Sequence, residues 1–73
     1  MQITVKIYGS LSIGRFECAR REYPAGTRVL DVVRDLGIGE EYLIRLRNGV
    51  HADFEDRLEA GDTLSLLPML DGG

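Results

Sequence analysis

Few groups in this sequence could take part in covalent chemistry, and the most pointed arrangement is the final run Pro68-Met69-Leu70-Asp71-Gly72-Gly73. Glycine has no Cβ, so Gly72-Gly73 can pass through a slot that admits backbone alone. The Gly73 carboxylate at its tip is a poor electrophile, because nucleophiles meet its negative charge and oxide is a hopeless leaving group. Another catalyst has to activate it before it can transfer anything, with Gly72 as the slender stem beside the reacting group. Pro68 fixes its own φ and cannot donate a ladder hydrogen bond, so strand pairing is expected to stop near it and the last five residues to project. Five extended residues span at most about 17 Å, enough to carry a carboxylate from one protein's surface into another's active site. The plain alternative is a frayed terminus with incidental glycines.

Such a tail needs a handle. Leu67, Pro68, Met69 and Leu70 form a run too apolar to sit comfortably in water, which marks a partner-binding surface. Asp71 and the terminal carboxylate put two negative charges into three residues, so a basic tail channel is expected in the partner. Arg45 and Arg47, read as lying on the outer face of a neighbouring strand, are candidates for the rim of that surface, with ordinary solubilising surface as the alternative. His51, the single histidine, has no cysteine or carboxylate set around it in sequence and reads as a surface residue. Cys18 is alone, which excludes an intramolecular disulfide and a cysteine-based metal cage; a buried, reduced thiol is expected. Without an acid, base or metal constellation, an enzyme acting alone is not expected, and no bound cofactor is implied.

The elements that must position the tail follow from periodicity. Residues 2–8 alternate, with Ile3, Val5 and Ile7 inward. Gly9 to Gly14 reads as a hairpin connection in which Leu11 and Ile13 tuck under the sheet edge. A second strand spans Arg15 to about Tyr23, with a bulge or a departure from the edge where its alternation fails. Thr27 is a candidate N-cap, and Val29, Val32, Val33 and Leu36 form one apolar helical stripe that ends at Gly37 as a left-handed cap. A third strand, Leu43 to Arg47, is read with Ile44 and Leu46 inward and Arg45 and Arg47 outward. Asn48-Gly49 signals a type I′ hairpin into a short strand, Val50-His51-Ala52. Phe54 and Leu58 are expected to plug the core. Gly61-Asp62 turns into a last strand with Leu64 and Leu66 inward and Leu67 outward, parallel to and beside the first.

Seventy-three residues allow one domain, near the lower limit for a core without disulfides or metal. Its boundaries are read as a body over residues 1–68 and a flexible tail over 69–73. A net charge of −3 argues against nucleic acid as the main partner. No run is long or apolar enough to span a membrane and the start has no signal-peptide pattern, so no membrane partner and a cytoplasmic location are expected. Of the nine basic residues only Lys6 is a lysine.

The order strand, strand, helix, strand, strand, strand resembles the β-grasp of the ubiquitin-like sulfur carriers of MoaD/ThiS type, which include the small subunit of molybdopterin synthase and the sulfur carrier of thiamine biosynthesis. The likeness is carried by Gly61-Asp62-Thr63-Leu64-Ser65-Leu66-Leu67-Pro68, by Gly72-Gly73, and by the helix opening Thr27-Arg28-Val29-Leu30-Asp31-Val32-Val33. It departs from the molybdopterin subunits at Gly9 to Gly14, where they usually carry a longer, partly helical segment, and at Asp71, where such tails often have a small or apolar residue. The resemblance implies an α+β fold with a mixed sheet of four to five strands and one main helix on one face. It implies a carrier, monomeric when free, whose Gly73 an ATP-dependent activating enzyme adenylates. A sulfur donor such as a cysteine desulfurase or rhodanese then supplies a thiocarboxylate, used by a downstream synthase or acceptor in molybdopterin, thiamine or tRNA-thiolation chemistry. Two other readings stand beside it: a protein modifier joined through Gly73 to target lysines, and a plain β-grasp interaction module.

Overall fold

The computed structural model describes residues 1–69. β1, Gln2–Ile7, buries Ile3, Val5 and Ile7 almost completely. It lies parallel to β5, Thr63–Pro68, in a register that sets Val5 beside Leu64 and Ile7 beside Leu66. These four apolar side chains therefore share one face at the middle of the sheet, each worth roughly 1.5–3 kcal/mol on full burial. β2, Cys18–Glu22, pairs antiparallel with the other side of β1. β3, Leu43–Arg47, pairs antiparallel with β5 and then with the two-residue β4, Val50–His51. The order across the sheet is β2-β1-β5-β3-β4, a mixed five-stranded sheet with the first and last strands as inner neighbours, as the alternation predicts.

The single α-helix among the described residues, α1, spans Val29–Asp35 and lays Val29, Val32 and Val33 on the sheet with no exposed surface. Thr27 does not cap it. The Thr27 hydroxyl donates to the Pro24 carbonyl at 2.7 Å, while Arg28 takes the cap position and donates its amide to Asp31 Oδ2 at 2.9 Å. The amides of Val29 and Leu30 are satisfied by the carbonyls of Asp56 and Phe54, so the 53–58 loop completes the helix start. Leu58 of that loop is buried and Phe54 packs against the core, both as expected. At the other end Gly37 has φ +69°, its amide donates to Arg34 O and the Ile38 amide to Val33 O, the bonding pattern of a Schellman cap. The Arg15 guanidinium closes this end by donating to the carbonyls of Leu36, Gly37 and Leu11 at 2.8, 3.0 and 2.9 Å.

Three further expectations, on the first part of the chain, need correction. The β1–β2 connection is not a simple hairpin loop: Gly9–Ser12 forms a 3-10 turn in which Leu11 packs against the core, whereas Ile13 does not tuck and is 76% exposed. β2 carries no bulge over its paired residues, since the register runs unbroken from Gln2 opposite Glu22 to Lys6 opposite Cys18. Its alternation fails at the inward parity, which carries Ala19 and Arg21. Arg21, inward by register, instead reaches Asp35 at 3.2 Å and lies 5.4 Å over the Phe16 ring. Cys18 is exposed, not buried, because it falls on the outward parity of the same edge strand.

Candidate functional site

The helix covers one face of the sheet and leaves the other open. Cross-strand partners share a face, so the registers assign the open face directly. Gln2, Thr4 and Lys6 of β1 stand beside Thr63 and Ser65 of β5, and Ile44 and Leu46 of β3 lie opposite Leu67 and Ser65. Leu67 points outward as expected. Ile44 and Leu46 do so against expectation, and with Leu67 they form a half-buried apolar row on the open face.

The parity of β3 is thus the reverse of the sequence reading. Leu43 enters the core, which puts Arg45 opposite Leu66 and Arg47 opposite Leu64, on the helix side of the sheet. Neither arginine rims the face that carries Leu67. Arg45 stacks 3.8 Å over the Phe54 ring and donates to the carbonyls of Ala52 and Leu43 at 3.0 and 2.9 Å. Arg47 donates Nε to Asp62 Oδ2 at 2.8 Å. Asp62 is buried, and burial opposes its ionisation, but the Glu59 amide, the Asn48 side-chain amide and Arg47 outweigh that and hold its carboxyl below the usual carboxylate range. Asn48, with φ 51° ahead of Gly49 at φ 83°, makes the expected turn and bonds β5 through Thr63. Arg45 therefore braces the β3–β4 hairpin against the loop that follows it, and Arg47 ties the hairpin to the turn that leads into β5. His51 is exposed at the end of β4, 3.4 Å from the Arg45 guanidinium.

β5 runs directly into the predicted tail. Pairing extends through Pro68, opposite Leu43, and one bond further, where the Met69 amide donates to Tyr42 O at 2.7 Å. On the other side the Tyr8 amide donates to Leu66 O, and Gly9, at φ +60°, comes so close that a Cβ there would stand 3.2 Å from Pro68 Cγ. The last described residues are thus gripped from both flanks, by backbone that carries the exposed residues Tyr8 and Tyr42. Leu70, Asp71, Gly72 and Gly73 lie outside the described residues. The register brings Leu67, Pro68 and Met69 together and separates Arg45 and Arg47 from them. The sequence reading missed Ile44, Leu46, Tyr8 and Tyr42. The one signal for the first two was Leu43, an apolar residue on the opposite parity.

The open face also differs in charge from the protein as a whole. Lys6 and Arg20 are exposed on it, while Glu22 there pairs with the Met1 amino group at 3.3 Å. The face is therefore cationic beside its apolar row although the chain carries −3.

No family model and no curated protein matches the sequence. Solved structures do match. SAMP1 from Haloferax volcanii, small archaeal modifier protein 1, is 23% identical, with each chain covered over 100% of its length and a TM-score of 0.81. A chain of the complex of subunits 1 and 2 of the molybdopterin-converting factor from Helicobacter pylori 26695 is 21% identical over 100% of both chains, with a TM-score of 0.69. A chain of the BexX/CysO complex of Amycolatopsis orientalis is 23% identical over 97% of this chain and 99% of that one, with a TM-score of 0.70. The fold is the small ubiquitin-like β-grasp that these structures share, with five strands and one helix.

Proposed function

We propose that this protein is a ubiquitin-like sulfur carrier, acting as a co-substrate with no catalytic role of its own. An activating enzyme grips the open face, takes the tail into its own site and transfers AMP from ATP to the Gly73 carboxylate, releasing pyrophosphate. The terminal sulfur of a persulfide donor then displaces AMP to give an acyl disulfide, and a thiol that is itself oxidised to a disulfide cleaves the S–S bond to leave a thiocarboxylate for a downstream acceptor. The observation that carries this reading is that one strand, β5, presents Leu67 in the apolar row and then leads through Pro68 and Met69 into Gly72-Gly73. Grip and delivery are thereby fixed relative to each other, which is what a carrier must contribute to a reaction whose electrostatics belong to its partner. Two of the matching structures are complexes with a second protein, which supports a protein partner here.

Incubation with the activating enzyme, ATP and a sulfur source should raise the intact mass by the difference between sulfur and oxygen. An unchanged mass beside a demonstrably active enzyme overturns the reading. A second reading, conjugation of Gly73 to target lysines, is favoured by the likeness to an archaeal modifier protein. Conjugate ladders in cell extract that vanish on deletion of Gly72-Gly73 would select it, and their absence would select the carrier.

A further inference from the structure

We propose that the end of the sheet from which β5 emerges is a second docking surface: an apolar collar of Tyr8, Ile13, Tyr42 and Met69 that seats on an apolar lip around the activating enzyme's tail channel. This rests on the function proposed above and adds to it a contact separate from the row of Ile44, Leu46 and Leu67 on the open face.

Five large apolar or aromatic residues are exposed among those described, and four of them collect at this one end. Met69 follows β5 directly, and Tyr8 follows β1 and donates its amide to Leu66 O at 3.0 Å. Tyr42 precedes β3 and accepts the Met69 amide. Ile13 closes the 3-10 turn Gly9–Ser12, whose Gly9 rests against Pro68. The collar is thus assembled from four segments that β1, β3, β5 and the 3-10 turn bring round the exit. The fifth exposed residue, Val50, stands at the far end of the sheet: its partner Arg47 lies opposite Leu64, four residues and about 13 Å before Pro68 along β5.

Packing within the chain does not account for the collar. Ile13 is 76% exposed, against the usual burial of isoleucine, and Tyr42 keeps its exposed ring at φ 57°, where a β-carbon is disfavoured. Exposed apolar groups gathered in one place mark a contact surface, and tyrosine is among the side chains that anchor one.

The length of the tail says what covers it. Only Leu70, Asp71, Gly72 and Gly73 follow Met69, so the Gly73 carboxyl lies no more than about 14 Å beyond the collar. An enzyme that draws this carboxyl into a water-excluding site is brought against this end of the sheet before Gly73 reaches the reacting position. The surround is acidic: Glu17, whose carbonyl accepts the Ile7 amide, and Glu41, next to Tyr42, are both exposed, and Asp71 follows. The lip that fits is therefore apolar with basic groups outside it. Because the contact is the same before and during transfer of AMP, it sets affinity and leaves the chemical step alone.

The test measures pyrophosphate release by the adenylating enzyme of the same organism, with ATP in excess and the full-length carrier titrated. Tyr42→Gly and Tyr42→Asn both accept the left-handed backbone and remove the ring, so each should raise KM at least tenfold with kcat within twofold, while Tyr42→Phe keeps the wild-type KM. Ile13→Ser should raise KM at least threefold, and Val50→Ser, an equal loss of exposed apolar surface at the far end, should not change it. Circular dichroism melting checks that each variant is folded. Wild-type KM in both Tyr42→Gly and Ile13→Ser, a fall in kcat at unchanged KM, or an equal rise with Val50→Ser overturns the proposal. So does a wild-type dimer in sedimentation that Ile13→Ser separates, which would assign the collar to a second copy. A wild-type carrier that releases no pyrophosphate overturns the function proposed above and the collar with it, an outcome seen before any variant is compared.

Discussion

The Met69 amide donates to the Tyr42 carbonyl at 2.7 Å, the last described hydrogen bond before the tail, and Tyr42 adopts φ 57° to present that carbonyl. A non-glycine residue in the left-handed region costs about 1 kcal/mol or more, and the ring is 74% exposed, so core packing does not explain why tyrosine is there. Replacing Tyr42 with Gly should leave thermal stability unchanged or raise it by about 4 °C at most. A clear fall in Tm on calorimetry would show that the ring is held by packing instead.

Gly9 should respond in the opposite sense. Gly9→Ala places a methyl group 3.2 Å from Pro68 Cγ at φ +60°, a conformation that disfavours any side chain. Destabilisation of about 1–2 kcal/mol is expected by denaturant titration, with the Met69 amide resonance shifted as β5 moves. Unchanged stability and an unmoved Met69 signal would mean that the turn does not set the exit.

The two faces of β3 and β5 predict separable phenotypes. Leu67→Asp should keep the fold within about 1 kcal/mol, as surface changes usually do, while lowering pyrophosphate release with the activating enzyme at least tenfold. Arg45→Ala should act the other way, lowering stability by about 1–2 kcal/mol through the lost Phe54 stacking and two carbonyl bonds, with activation of the folded protein intact. A stable Arg45→Ala protein that cannot be activated would restore the arginine to the docking surface.

At the start of the helix, hydrogen bonds from the Arg28 side chain and backbone lower the Asp31 carboxyl to about 2. Because the folded group titrates below an unfolded aspartate, its stabilising contribution is complete above about pH 4 and is lost as pH falls toward 2. Asp31→Asn should flatten the acid limb of a stability–pH curve in that window and leave its shape near neutrality alone. An unchanged acid limb would show that the pair contributes nothing.

Much of this architecture was legible because single-face burial writes a period of two into Ile3, Val5 and Ile7 and into Leu64 and Leu66, and a period near 3.6 into the valines of α1. Gly37 and Asn48-Gly49 were legible for a different reason, since left-handed backbone restricts which residues can stand there. The parity of β3 was not. A rule that sends arginine outward fails on β3, where guanidinium groups on the inner face find Phe54, backbone carbonyls and Asp62 instead of water. The same failure hid Ile44 and Leu46 from the candidate site. Thr27 was misread because Asp31 offered the Arg28 amide an acceptor within the first turn. For Gly72-Gly73 the reading rests on the sequence alone.

β5 has neighbours on both sides, parallel β1 and antiparallel β3. A pull along its axis from the tail end would load both ladders in shear at once, whereas an edge strand peeled from one side gives way bond by bond. An enzyme that draws in the terminal residues could thus tug on this protein without unravelling it.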